Sequence, residues 1–173
     1  MMQIISPASH AAVALITTDL IMKRTGRTTQ KERVEKCFGF RHELALAWYA
    51  TKFFNDPSIF EYEKQQLMRV AQGALDPGGD DLEFDFLVPK APFKINAKGT
   101  LNEHLVSSKR HADVCFVLGR PADKSSHIMK SEDMPIELVG WCMGTELEIA
   151  PTWMKVPLYC HQDKLRPREK LWF

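Results

Sequence analysis

Apolar and polar positions divide the chain into two stretches of different rhythm. Up to about residue 74, apolar side chains recur at helical spacing; from Leu82 to Ile149, short apolar runs separated by turns replace them. Ser6-Pro7 reads as a helix start, since proline is tolerated at the first helical position, where its missing N–H has no partner to lose. That helix is predicted to run to about Lys23, with Gly26 ending it. Residues 24–31 are polar and basic without an apolar period and read as a loop. The clearest helix is predicted over 32–55, where Val34, Phe38, Ala45, Trp48 and Tyr49 sit among good helix formers. Asn55-Asp56-Pro57 stops it. Another helix fits 59–74, closed by the turn cluster Asp76-Pro77-Gly78-Gly79-Asp80.

The second stretch reads as strands. Phe84 to Val88 and Phe93 to Ala97 are joined by a short loop containing Pro89, Lys90 and Pro92, which suggests a hairpin. Ala112 to Leu118 is continuous in its apolar residues and is expected in the centre of a sheet. Ile136 to Met143 is a fourth strand, with the polar stretch 119–135 read as a long loop before it. Val156 to Tyr159 is a last short strand. Helices grouped before strands imply an α+β domain of three-layer type, a mixed sheet flanked by helices. Residues 1–31 read as an N-terminal helical arm and basic loop that packs on the domain or on a second subunit. Residues 32–173 read as the main domain.

The chain has 173 residues, 45% apolar and 26% charged, which fits one globular domain and excludes a mainly disordered chain. A formal net charge of +1 excludes a bulk-basic nucleic-acid binder, so any nucleic-acid surface must be local. Cysteines stand at 37, 115, 142 and 160 with no C-x-x-C pair, which argues against a zinc ribbon or a thioredoxin-like motif. They read as buried free thiols in a reducing compartment, and the expected location is the cytoplasm. The early apolar stretch has no basic segment before it and carries Ser, His and Asp, so neither a signal peptide nor a membrane span is expected.

The candidate chemistry gathers around the expected hairpin. Asp85 opens one strand; Asn96 and Lys98 lie on the next and face the same side of it. Across the hairpin they bring a carboxylate, an amide and an ammonium around one point. Asp85, Asn96 and Lys98 in this order resemble the core of the PD-(D/E)XK nuclease superfamily, the restriction-endonuclease-like fold. The resemblance implies that Asp85 is the first metal-binding acid, that the Ala97 main-chain carbonyl is a further ligand, and that Lys98 orients the attacking water. Asn96 departs from the family, which has an acid there; an amide oxygen can ligate a hard cation but brings no charge. The run Phe38-Gly39-Phe40-Arg41-His42-Glu43-Leu44-Ala45 resembles the first helix of small members and makes Glu43 the candidate second acid. The ordinary alternative for Glu43 is a solvated helix glutamate. Glu103 is the next candidate.

The resemblance extends over 33–173, through His111-Ala112-Asp113-Val114, Val139-Gly140-Trp141 and Leu165-Arg166-Pro167. It implies a Mg²⁺-dependent (or Mn²⁺-dependent) DNA endonuclease, with pairing of two subunits as in many relatives. A catalytically inactive protein of the same fold, binding nucleic acid or a protein partner, is the other reading, and Asn96 favours it. Lys94, Lys109, Arg110, Arg24 and Arg27 are the candidate DNA contacts, against the alternative of solvated loops. Asp113 reads as a structural acid, and Trp141 as core rather than a base-stacking platform.

Overall fold

The computed structural model describes residues 2–71, 85–88, 93–101, 104–107, 111–123 and 128–171. It is a mixed α+β structure. A short strand, β1 (Gln3–Ser6), precedes three helices: α1 (Ala8–Thr25), α2 (Gln30–Phe54) and α3 (Ser58–Ala71). Strands β2 (Phe86–Val88), β3 (Phe93–Gly99), β4 (Leu105–Ser107), β5 (Val114–Pro121), β6 (Met134–Met143), β7 (Glu148–Ile149) and β8 (Leu158–Cys160) follow.

The main sheet has the order β1-β6-β5-β3-β2. β2 and β3 form the expected antiparallel hairpin, with Phe86 opposite Ile95. β3 runs parallel to β5, and β5 antiparallel to β6. A second sheet of three short strands, β4-β8-β7, lies against the face of β5 that carries Val114, Phe116 and Leu118. The opposite face, with Ile95, Ala97, Cys115 and Val117, packs on Phe38, Ala45 and Leu46 of α2. Two apolar layers thus sandwich β5, while β3 meets only the α2 layer, through Ile95 and Ala97, and turns Asn96 and Lys98 to its other face.

Several boundaries differ from the sequence reading. Ser6 ends a strand instead of starting a helix, and Pro7 caps α1 from an extended conformation. Ile4 and Ser6 turn inward while β1 pairs with β6, so residues 3–25 supply the sheet's edge and a helix packed on α2. Gly26 does end α1, at φ 67°, a left-handed conformation that glycine adopts without steric cost. The basic loop is shorter than expected, because Thr29 accepts the Glu32 N–H and so starts α2 at Gln30. The long loop over 119–135 is cut at both ends: β5 runs on to Pro121, and β6 begins at Met134. The last strand begins at Leu158 rather than Val156. All four cysteines are free and buried. No helix among the described residues is long and apolar enough to cross a membrane.

Candidate active site

The site begins with a close approach of helix and strand. A Cβ built on Gly99, at the end of β3, would stand 3.0 Å from the Gly39 Cα and 3.2 Å from the Phe38 ring. A side chain at Gly99 would press on α2, so the glycine there lets the helix lie this near β3. Glu43 stands one helical turn beyond Gly39 on the same face, beside the buried Leu46 and Ala47. The helix therefore delivers Glu43 to the sheet half-buried, not to solvent.

Asp85 sits immediately before β2. Its N–H donates to the Ile95 carbonyl at 2.7 Å, and its carboxylate Oδ2 accepts the Ala97 N–H at 2.6 Å. The carboxylate thus replaces a strand partner that the β2 backbone would otherwise provide, through a short, charge-assisted bond. In an extended strand the N–H and C=O of one residue leave on the same side. The Ala97 carbonyl therefore emerges on the edge of β3 where Asp85 lies. Lys98 follows, with Nζ 5.9 Å from the Phe116 ring centroid, above a groove lined by Glu35, Thr100 and Val106. Asn96 shares the Lys98 face of β3 and pairs in register with Phe116.

A residue absent from the sequence reading completes the cluster. Glu63, on α3, is 1% exposed and hydrogen-bonded to Glu43. Its spacing held the signal: Ile59, Glu63 and Leu67 recur every fourth residue and all three are buried, so a carboxylate interrupts an apolar stripe. Lys36, one turn N-terminal to Gly39, adds a further positive charge acting on Glu43.

Burial raises the proton affinity of all three carboxyl groups, and the Asp85 charge adds to it at Glu43 and Glu63. Burial pushes Asp85 up to about 6, against the pull of the Lys98 charge and the Ala97 N–H. Burial and the Asp85 charge push Glu43 up to about 8, against the Glu63 hydrogen bond, Lys98 and Lys36. Burial, together with Glu43 and Asp85, drives Glu63 well above the carboxylate range. Crowded, desolvated carboxylates beside a lysine mark a place where charge has been collected at a cost.

The donors fit a hard divalent cation: carboxylates and a main-chain carbonyl, with no sulfur or imidazole among them. Glu63 Oε2 is buried without a hydrogen-bond partner, the unsatisfied polar atom expected near a cation site. Among the described residues, no group of three or more His, Cys, Asp or Glu side chains forms a ready-made metal site.

The structure thus brings together Asp85, Ala97 and Glu43 and adds Glu63, while Lys98 and Asn96 stand on the other face of β3, beside Phe116 and Leu118, from which the Lys98 charge acts on Asp85 and Glu43. Lys94 lies on the same strand but is bound to Asp113 at 2.7 Å, which gives Asp113 the structural part expected of it. Arg24 and Arg27 stand exposed at the α1–α2 turn, where Arg27 acts on Glu32. Lys109, Arg110 and Glu103 lie outside the described residues. Trp141 is buried, with its indole N–H donating to the Pro167 carbonyl at 3.0 Å. Compared with protein-family models, with curated proteins and with solved structures, the chain shows no match to any.

Proposed function

We propose that the protein is a magnesium-dependent DNA endonuclease with a restriction-endonuclease-like core, hydrolysing phosphodiester bonds. The observation that carries the reading is the Asp85 carboxylate held on the Ala97 N–H, with the Asp85 charge acting on Glu43 and the Lys98 charge on both. The hairpin order, the Ala97 N–H held by Asp85 and the Gly39–Gly99 contact support it. Asp85, the Ala97 carbonyl and Glu43 would hold Mg²⁺ (or Mn²⁺). When bound, the cation polarises the scissile phosphate and stabilises charge on the leaving oxygen.

The chain's own residues do the rest. Asp85 is fixed by the Ala97 N–H, so its carboxylate waits in one orientation. Lys98 brings a positive charge to the same point and would hold the attacking water toward the phosphorus by donating a hydrogen bond to its oxygen. Burial keeps bulk water from screening these charges. The acid missing at Asn96 is made up from the helices, by Glu43 and the Glu63 behind it.

Cleavage of plasmid DNA with Mg²⁺ or Mn²⁺ tests the reading. Lys98→Ala should abolish cleavage and leave DNA binding nearly intact, because the lysine acts on the transition state more than on the ground state. Equal loss of both would make Lys98 a phosphate anchor. A second reading, nucleic-acid binding without hydrolysis, is favoured by Asn96. A wild-type protein that binds neither cation and cuts no DNA would establish it over the first. Pairing of two subunits belongs to the same proposal; α1, with Ile16 60% exposed, offers a surface for it.

A further inference from the structure

We propose that Trp153 is a stacking platform for an unpaired nucleobase, and that Lys155 beside it meets the adjoining phosphate. The inference rests on the reading of a nucleic-acid partner, and on neither the cation nor hydrolysis. It gives the second sheet a contact of its own, outside the carboxylate cluster.

Tryptophan has a large apolar surface and is ordinarily well buried. Trp141 is buried and Trp48 packs against Phe60, whereas Trp153 is 75% exposed. It stands in a single 3₁₀ turn, Thr152–Met154, at the tip of the hairpin that joins β7 to β8. The tip is braced. The Ala150 N–H donates to the Pro157 carbonyl at 2.9 Å, and the Met154 N–H to the Pro151 carbonyl at 3.0 Å. Lys155 reverses the chain at φ 54°, a left-handed conformation that glycine would take at less cost, so the lysine there is retained against a penalty. The indole is thus held out to solvent before any partner arrives, and little ordering remains to be done on binding.

The chemistry of the tip selects its occupant. From Ile149 to Gln162 the chain carries one lysine and no acid, so the tip attracts an anion and offers it a flat aromatic face. A nucleotide supplies both parts, a phosphate for the ammonium and a base whose face stacks on the ring. A base inside a duplex has both faces covered by its neighbours, so the tip takes an unpaired one. A bilayer would need a wider apolar face than one indole and one isoleucine provide. Position favours the same partner. Val106 of β4 lines the groove beneath Lys98; in register it faces Tyr159 of β8, which faces Glu148 of β7. The groove and the base of the hairpin therefore stand two strand spacings apart, roughly 10 Å. A nucleic-acid strand lying at Lys98 reaches the hairpin within a few nucleotides.

Fluorescence anisotropy of labelled single strands tests this, without divalent cation so that no strand is cut. The probes are an oligothymidylate and an abasic oligonucleotide of the same length and charge. The wild type should bind the strand with bases about fivefold to a hundredfold more tightly than the abasic one, the usual gain from one stacked base. Trp153→Ala should bring the two within about twofold of each other, and Trp153→Phe should keep part of the difference. Lys155→Ala should weaken both strands alike and lower the slope of log affinity against log salt by about 0.7, one phosphate contact. The side chains are exposed, so the variants are expected to fold, and circular dichroism checks it. Equal binding of the two strands by the wild type overturns the proposal, as does a preference that survives Trp153→Ala. Self-association of the wild type that Trp153→Ala abolishes, with binding of both strands unchanged, would assign the tip to a second copy of the chain instead. A base preference lost in Trp153→Ala, in a protein that cuts no DNA with Mg²⁺, upholds this inference and overturns only the nuclease reading.

Discussion

Arg41 and Glu43, two residues apart on α2, are both drawn out of water, and their surroundings differ in kind. Arg41 is fully buried, yet its guanidinium is satisfied on every side. Nε donates to Ser6 Oγ at 2.9 Å, Nη1 to the Ile128 and Lys130 carbonyls at 3.2 Å each, and Nη2 to the Ser6 and Glu132 carbonyls at 3.1 and 2.7 Å. It ties β1 and the segment before β6 to the helix. Glu43 faces Asp85 and Glu63, groups of its own sign, and one of these keeps an oxygen without a partner. A buried charge whose bonds are all made holds the fold together. A buried charge set among like charges costs stability until something else arrives. That contrast, more than burial, separates a structural residue from a candidate catalytic one.

The comparison breaks most visibly at Arg41. Arg41→Ala removes the donor from four carbonyls and a hydroxyl at once. The loss should reach about 3–5 kcal/mol, as when one side of a buried charged network is deleted. Chemical denaturation reads it directly, and a loss under about 1 kcal/mol would mean water satisfies those carbonyls.

His42, between the two, gives the next effect. Its ring is fully buried, and Nε2 lies 3.2 Å from the Val117 carbonyl. A Cβ on Gly119 would stand 2.4 Å from that ring, at a register shift of β5 against β6. Gly119→Ala should therefore cost about 1–3 kcal/mol through overpacking. A neutral outcome would show that the ring can move away from the strand.

Glu43→Gln should run the other way. Removing one of three crowded acids should stabilise the cation-free protein by about 1 kcal/mol, the usual gain when a strained functional site is relieved, while abolishing cleavage. A destabilised variant would place Glu43 with Arg41 among the structural residues.

The smallest effect is a pH dependence with two opposed arms. Burial holds His10 and His42 down to about 4. Their stabilisation is complete above the unfolded imidazole value of about 6.5 and is lost as pH falls toward 4. Asp85 and Glu43 are raised, to about 6 and 8. Their stabilisation is complete below the unfolded carboxylate values, near 4, and is lost as pH rises through 6 to 8. Glu63, raised further, acts in the same direction, so the melting temperature of the cation-free protein should fall from about pH 6 to pH 8, and Glu43→Gln should lessen that fall. A curve that rises steadily to pH 8 would contradict the raised carboxylates.

Much of this was legible in the sequence where the pattern was long or the chemistry local. The period of α2, the alternation around β3 and the order Asp85, Lys98 placed the hairpin and two of its charged residues. β1, β4, β7 and β8 were harder, since strands of two to four residues carry too little alternation to stand out, and of these only β8 was anticipated. The approach of α2 to Gly99 was invisible because that glycine's value depends on a helix sixty residues away, and a Cβ on Gly39 itself would meet nothing within 4 Å. Glu63 was readable as a break in an apolar stripe, but nothing local distinguishes such a break from a solvated position. Arg41 was passed over for the same reason: its acceptors are backbone carbonyls, which any sequence supplies.

The central claim is that the crowded carboxylates await a divalent cation. Thermal unfolding of the wild type and of Asp85→Asn, each with and without Mg²⁺ at pH 8, tests it most directly. The wild type should melt lower without Mg²⁺ and rise when it is added, because a ligand bound only by the folded state stabilises it. Asp85→Asn should melt higher than the wild type without Mg²⁺ and respond little to its addition. Equal responses to Mg²⁺ in the two proteins, or none in the wild type, would contradict the claim.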